Sequence, residues 1–217
     1  MQPVSRKRSS QSDLSNSAPA QPIQRRARKQ LENAGHMAAC AWQLFETLGY
    51  EATTMEAIAV AADVARATLY RYFPVKEALI AHRFHQDQIT HQQVICAGAH
   101  ASPDLPSALR YILQIEVGYA ERMKPYMGPY LAYQLAGQQN SERIADNDIV
   151  YGLVLDLLRR ALVDGNIDAT LRAEQLAEYF AFLRLSSLMH WLARPNSSLL
   201  TLYEDMLGFF INGTRTK

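Results

Sequence analysis

A stretch of the chain from residue 65 to residue 79, ARATLYRYFPVKEAL, crowds together side chains that can bind a polyanion. It holds two arginines, two tyrosines, a threonine and a lysine, and a proline interrupts it. An arginine guanidinium can fork onto O6 and N7 of guanine, and a threonine hydroxyl can bond a base or a phosphate. A tyrosine hydroxyl can bond a phosphate oxygen while its ring packs against the protein. The chemistry available to this stretch is therefore recognition of DNA.

The apolar residues of this stretch predict a short helix whose remaining surface is free to make contacts. Leu69 and Phe73 are four residues apart, so both lie on one helical face and anchor a helix from about residue 66 to residue 73. Pro74 ends that helix, and the sequence VKEAL begins the next one. The predicted outward face consists of Arg66, Ala67, Thr68, Tyr70, Arg71 and Tyr72.

Another short helix is predicted just before this one, over TTMEAIAVAA. Thr53 and Glu56 have the spacing of a capping box, which favours a helix start at this point. Asp63 follows, and aspartate tolerates the left-handed backbone of a tight turn better than most residues do. Two short helices joined by a tight turn, with donors exposed on the second, are typical of a helix-turn-helix.

The outward residues have different chemical roles in such a motif. We expect Arg66 and Arg71 to read base edges, because their guanidinium groups match guanine. Thr54 and Lys76 stand at the starts of the second and fourth helices, where free backbone amides attract anions. The alternative is that the tyrosines only pack against the protein and the arginines only form a solvent-exposed face of the helix. The capped helix and the turn that precede them favour DNA binding.

Positive charge is concentrated at the front of the chain. Residues 1–29 hold seven Lys or Arg and one acid, whereas residues 84–217 hold 11 basic and 14 acidic residues. Residues 1–24 contain few large apolar groups, so we predict a disordered basic arm there. Basic residues near the first helix are expected to follow flanking phosphates or the minor groove, with plain solubilising charge as the alternative. They are Arg25, Arg26, Arg28 and Lys29.

Helical periodicity continues over the rest of the chain. Five apolar residues of MAACAWQLFETLGY share one helical face, namely Met37, Ala41, Leu44, Phe45 and Leu48. Alternating strand patterns and tandem repeats are absent from the sequence. We therefore predict an all-α protein. An N-terminal three-helix helix-turn-helix DNA-binding domain occupies residues 25–83, and a larger helical ligand-binding and dimerisation domain occupies residues 84–217.

The last two predicted helices are apolar nearly all round, which indicates burial on more than one side. Two copies of this helix pair would form a four-helix bundle across a two-fold axis. A single large core that absorbs both helices is the alternative. The predicted dimer residues are Tyr179, Leu183, Ser187, Trp191, Leu202, Met206, Phe209 and Phe210.

The middle helices are rich in tyrosine and methionine, which suit both an ordinary core and an apolar pocket with a few polar tips. Gly128 and Pro129 are expected to break or kink one of these helices and to open space there. The predicted ligand-binding residues are Tyr111, Met123, Tyr126, Met127, Tyr130 and Tyr151.

Motifs for other function classes are missing from the sequence. We find no phosphate-binding glycine loop, nucleophile elbow or metal-type cysteine spacing, so neither an enzyme nor a cofactor is expected. Cys40 and Cys96 are isolated, and the histidines at 82, 85 and 91 fit a polar helix face better than a metal site. No apolar run is long enough to span a membrane, and the expected location is the cytoplasm.

Residues 44–80, LFETLGYEATTMEAIAVAADVARATLYRYFPVKEALI, resemble the DNA-binding domain of the TetR family of transcriptional regulators. With the first helix, the resemblance covers about residues 28–83. Two positions depart from the family pattern: Asp63 stands where glycine is usual, and Ala65 stands where serine or threonine is usual. Ala65 cannot cap the recognition helix with a side-chain oxygen, a loss of typically ~1 kcal/mol.

The resemblance implies a homodimer whose two heads bind adjacent half-sites of a palindromic operator. It implies a larger domain that binds a small ligand and shifts the spacing of the heads, most often in a repressor. The tyrosines and methionines of the middle helices lead us to expect an apolar or aromatic effector. Two alternatives remain: a DNA-binding protein without an effector, and an all-α enzyme. By matching position, Thr54, Thr68, Tyr70, Tyr72 and Lys76 become phosphate or base contacts, and Arg66, Ala67 and Arg71 become groove-facing residues.

Overall fold

The computed structural model describes residues 22–136, 149–167, 170 and 172–214, with side chains from residue 28 onward. Over these residues the chain forms helices and no strand, as predicted. The helices are α1 (Pro22–Leu48), α2 (Met55–Ala61), α3 (Arg66–Tyr72), α4 (Lys76–His100), α5 (Leu105–Arg122), α6 (Lys124–Ala136), α7 (Ile149–Val163), α8 (Ala173–Ala193) and α9 (Leu199–Thr214).

Helices α1 to α3 form a small three-helix head. Its core contains Met37 and Phe45 from α1, Ile58 from α2 and Leu69 from α3, all of them buried. Leu48 was predicted to share the inner face of α1, but it is 57% exposed because it lies in the last turn of α1, beside Gly49 at φ 87°. The predicted helical face is otherwise confirmed, and Leu44 is half-buried.

The turn chemistry of the head matches the sequence in two places and differs in one. Asp63 adopts φ 50°, the left-handed conformation that was predicted for it. Ala65 caps α3 without any side-chain hydrogen bond. The predicted capping box is wrong, because the cap of α2 is Thr54, whose hydroxyl accepts from the Ala57 amide at 3.1 Å. Thr53 is buried instead and donates to the Gly49 carbonyl at 2.8 Å.

Helix α4 joins the head to the larger domain. Leu79 and Ile80 near its start are buried, and its later turns pack against α5, α6 and α7. Gly98 lets α4 approach α5 closely, because a Cβ atom at this position would lie 2.2 Å from the Tyr111 ring. The remaining contacts place α5 against α9, and α8 against both α7 and α9.

Two boundaries differ from expectation. The predicted break at Gly128 and Pro129 is not observed, since α6 runs through Pro129 without interruption. The predicted disordered arm at residues 1–24 lies outside the described residues, apart from residues 22–24, which belong to α1. Helices α7 and α8 end shortly before Gly165, which has φ 71°, and Pro195. Among the described helices, none combines the length and the apolar composition that a membrane crossing requires.

Candidate nucleic-acid interface and associated sites

The short helix α3 presents one face to the core and the rest to solvent. Leu69 is completely buried, while Tyr72 and Thr68 are half-buried. The structure leaves Arg66, Ala67, Tyr70 and Arg71 exposed on this helix. The predicted outward face is therefore present as a surface of donors on a helix small enough to enter a major groove.

The two arginines of α3 have different surroundings. The Arg71 guanidinium lies 5.5 Å from the centre of the Tyr72 ring, a cation–π distance that keeps it along the exposed surface of the helix. Arg66 instead donates to the carboxylate of Glu56 on α2. Arg71 is thus available for base contact as it stands, whereas Arg66 must leave a partner first.

Four further residues predicted to contact DNA lie outside α3. Thr54 is exposed, and its oxygen accepts from an amide, so its own proton can still be donated to a phosphate. Arg28 is 75% exposed on α1 and pairs with Glu32 at 3.3 Å. An exposed pair of this kind contributes at most ~1 kcal/mol and is easily exchanged for a phosphate. Arg25 and Arg26 lie in α1, with side chains outside the described ones.

Lys76 is used differently from the phosphate contact that was predicted. Its Nζ donates to the carbonyl of Tyr50 at 2.6 Å and to that of Thr53 at 2.9 Å. The same ammonium group lies 4.1 Å from the centre of the Tyr50 ring. Lys76 therefore ties the loop before α2 to the start of α4, and one of its three donors remains for DNA.

Tyr50 and Glu77 complete this anchor, and the sequence analysis did not identify either of them. The Tyr50 hydroxyl donates to Glu77 Oε1 at 2.7 Å. Burial first, and then the bond to Glu77, hold the pKa of this phenol well above its usual range. The partners are 26 or 27 residues apart in the chain, so no local pattern could have revealed them.

An aromatic cluster connects the head to α6. The Tyr126 ring lies 4.6 Å from the Trp42 ring and 6.1 Å from the Phe45 ring, centre to centre. Arg83 of α4 stacks over Trp42 at 5.2 Å. Its Nε also donates to both oxygens of Asp87, at 3.0 and 3.1 Å. Tyr126, predicted as a ligand contact, thus lies at the junction between the head and the larger domain.

The other predicted ligand residues lie in or against the core of the larger domain. Met127 is buried, and the Tyr111 ring occupies the space that a Cβ atom at Gly98 would take. Tyr130 stacks on Phe84 with 4.6 Å between ring centres. Met123 and Tyr151 are half-buried and pack against the same core.

A group of largely buried polar side chains lies in the larger domain, where α5, α8 and α9 meet. Arg184 Nη1 approaches Glu116 Oε2 to 3.6 Å, and both side chains are largely buried. Tyr203 is 1% exposed. Burial, followed by the charge of Glu116, holds the pKa of the Tyr203 hydroxyl far above its usual range.

Helices α8 and α9 divide their apolar residues between the core and an outer face. Trp191, Met206 and Phe210 were predicted at a dimer interface, but they are buried within the single chain at 4%, 7% and 4% exposure. Leu183, Ser187 and Leu202 are half-buried. The outer face carries Tyr179, Phe182, Met189 and Phe209, which are 52%, 65%, 48% and 71% exposed. Among the residues predicted for the dimer, Tyr179 and Phe209 lie fully on this outer face.

A shallow apolar groove of about 380 Å³ crosses the outer face. Phe182, Phe209 and Tyr179 line it, together with Gly213 at the end of α9. Large exposed aromatic side chains that meet in one groove are characteristic of protein interaction surfaces.

Comparison with known proteins agrees with the geometry of the head. The sequence profile of "Bacterial regulatory proteins, tetR family" matches residues 39–82, which include α2 and α3. The HTH-type transcriptional repressor KstR of Rhodococcus jostii (strain RHA1) is 28% identical over 152 residues, which are 69% of this chain and 68% of that protein. KstR of Mycobacterium tuberculosis is 30% identical over 154 residues, 69% and 66% of the two chains.

A solved structure extends the likeness to the whole fold. Thermus thermophilus FadR, a TetR-family transcriptional repressor crystallised with lauroyl-CoA, superposes with a TM-score of 0.73. It shares 22% identity, and the match covers 85% of this chain and 96% of that one. The donor-bearing helix, the all-helical architecture and the matched profile lead to one conclusion: the chain belongs to the TetR family of DNA-binding transcriptional regulators.

Proposed function

We propose that this regulator is a repressor whose α3 helix enters the major groove of an operator. The observation that carries the proposal is the exposed face of α3, where Arg71 is free to fork onto guanine. Tyr70 and Tyr72 contact the phosphates beside the groove, and Thr54 and Arg28 contact the flanking backbone. Thr68, Ala67 and Arg66 complete the surface that faces the bases.

Replacement of Arg71 tests the reading role. Arg71→Ala should cost about 1–3 kcal/mol on the operator and relax the base preference at one position. The operator is first obtained by selecting duplexes from a random-sequence pool with the wild-type protein, and binding is then measured by fluorescence anisotropy. Arg194→Ala is the matched control, because Arg194 is equally exposed but lies at the end of α8. Equal affinities for both variants and the wild type would exclude Arg71 as a reader.

The repressor acts as a homodimer through the outer face of α8 and α9. The four large residues of that face are about half to two-thirds exposed in the single chain. Aromatic and other large side chains bury roughly 150–250 Å² each, so this quartet supplies about half of the ~800 Å² per partner that a stable interface buries. A two-fold arrangement would pair each groove with the aromatic residues of the other copy, and would present the two α3 helices to successive half-sites.

The larger domain responds to a small apolar effector. Two observations support this: several half-buried tyrosines and Met123 surround its core, and the Glu116–Arg184–Tyr203 group offers polar contacts beside apolar side chains. The structurally similar Thermus protein was crystallised with lauroyl-CoA, which suggests the first compounds to test. Tyr126 lies against Trp42 of the head, so a ligand that displaces α6 would also displace the head. Release is then a shift in the population of head spacings.

A ligand screen tests the effector and separates the alternatives. Lauroyl-CoA, with coenzyme A alone as the control, should raise the melting temperature and should release the selected duplex in a gel-shift titration. A ligand at a hundred times its Kd stabilises the native state by about 2.7 kcal/mol. Duplex binding without a response to any acyl-CoA or apolar compound would favour a DNA-binding protein that lacks an effector.

The proposed activity requires binding alone. The protein meets its operator in the cytoplasm, and its partners are double-stranded DNA, a second copy of the chain and the effector. Turnover of an acyl-CoA during the same screen, detected as free thiol, would instead indicate an all-α enzyme.

A further inference from the structure

The pair between Arg66 and Glu56 connects the first residue of α3 to the first turn of α2. The guanidinium Nη2 donates to the carboxylate Oε1 of Glu56. The two side chains are 65% and 45% exposed, so the pair lies on the surface of the head and not inside it. Glu56 does not make the capping-box bond that its position suggested, since Thr54 caps α2 through Ala57. The carboxylate is therefore committed to Arg66 and not to the helix start.

This pair occupies a group that is well suited to read a base. An exposed ion pair changes an equilibrium by no more than about fivefold, because both charges are hydrated and screened when they separate. A bidentate contact between arginine and guanine favours guanine over other bases by about five- to a hundredfold. Guanine can therefore replace Glu56 as the partner of Arg66. A base that offers only one acceptor gains too little to do so.

From this competition we infer that Glu56 competes with DNA for Arg66 and lowers the affinity of the head for its operator. It holds Arg66 back from DNA unless a guanine at the matching position takes its place. On unselected DNA the pair stays closed, so the Glu56 carboxylate cancels the charge of Arg66 and withholds one phosphate contact. Binding to the operator is weakened by more than this, because there the full cost of opening the pair must be met. The inference rests on the proposed placement of α3 in the major groove.

Glu56→Gln in the full-length protein tests the inference, with two duplexes as probes. One is the duplex that the wild type selects from a random pool, and the other is a scrambled duplex of equal length. The variant should bind the selected duplex up to about fivefold more tightly, because the pair no longer has to open. Its affinity for the scrambled duplex should rise less, because a phosphate contact that cannot open the pair is weaker than the pair. Freed Arg66 adds one phosphate contact on scrambled DNA, so the slope of log K against log salt steepens by about 0.9.

The matched control is Glu51→Gln, which removes one carboxylate from the exposed loop before α2. If Glu51→Gln raises the affinity for the selected duplex as much as Glu56→Gln does, the effect is general charge and the inference is overturned. In an Arg66→Ala background, Glu56→Gln should do no more than Glu51→Gln. If Glu56→Gln still changes the affinity more than Glu51→Gln in the Arg66→Ala background, Glu56 acts without Arg66, and the inference is again overturned.

The outcomes separate this inference from the proposed function. If the wild type selects no duplex, the proposed operator binding fails and the inference fails with it. If the wild type selects a duplex that Arg71→Ala binds weakly, but Glu56→Gln leaves the affinity for that duplex unchanged, only the role of Glu56 is refuted. Thermal melts of each variant must match the wild type, as expected for substitutions at exposed positions.

Discussion

Phe209 gives the sharpest test of the proposed homodimer. It is 71% exposed in the single chain and lines the groove on the outer face of α8 and α9. A phenylalanine can bury roughly 150–250 Å², so this exposed fraction leaves on the order of 140 Å² for a partner to cover. At ~25 cal/mol per Å², and with part of that area retained by alanine, Phe209→Ala removes about 2 kcal/mol per copy.

A two-fold dimer contains this change twice, for a total of about 4 kcal/mol and a roughly thousandfold weaker association. Sedimentation velocity over a concentration series measures the dissociation constant directly. The operator affinity should fall in parallel, because two linked heads bind half-sites with a common effective concentration. The fold of the single chain should be little affected, since surface substitutions usually change stability by less than ~0.5 kcal/mol.

Two further substitutions serve as controls for Phe209→Ala. Phe210 is 4% exposed, so Phe210→Ala should destabilise the fold itself by about 3–5 kcal/mol. Val163 is 86% exposed at the end of α7, and Val163→Ala should leave both association and stability unchanged. Unaltered dimerisation of Phe209→Ala would refute this face as the interface. Equal weakening of dimerisation by Val163→Ala would also refute it.

Three more outcomes follow from the packing. Gly98→Ala should lower the melting temperature by the equivalent of about 1–3 kcal/mol, because the added Cβ collides with Tyr111. The double variant Gly98→Ala/Tyr111→Leu should regain part of the lost stability. A single variant more stable than the wild type would contradict the close approach of α4 to α5. Lys76→Met should speed amide hydrogen exchange at residues 50–54 and weaken binding to every duplex tested, and unchanged exchange would rule out the anchor. Burial and the bond to Asp87 hold the folded pKa of Tyr119 above its unfolded value, so its contribution is intact below about pH 10 and is lost as pH rises further. Urea unfolding of Tyr119→Phe should therefore show a shallower loss of stability between pH 9 and pH 11 than the wild type, and identical profiles would dismiss this role.

The spacing of residues along the chain was sufficient to predict the local structure of the head. The four-residue interval between Leu69 and Phe73 oriented α3, and that orientation put the arginines and tyrosines outside. Asp63 marked the turn because few side chains tolerate its backbone conformation. These features depend on near neighbours in the chain, so periodicity and backbone preference were sufficient to predict them.

The sequence by itself left the partners of the charged groups and the division of the apolar helices undecided. Lys76 has donors suited to a phosphate, but folding places it against carbonyls more than 20 residues away. Apolar residues lie nearly all round α8 and α9, and only the packing of α5 and α8 against α9 decides that Phe210 is buried while Phe209 is exposed. Side-chain chemistry thus determines which groups each residue can bind, and tertiary contacts determine which of those groups lies within its reach.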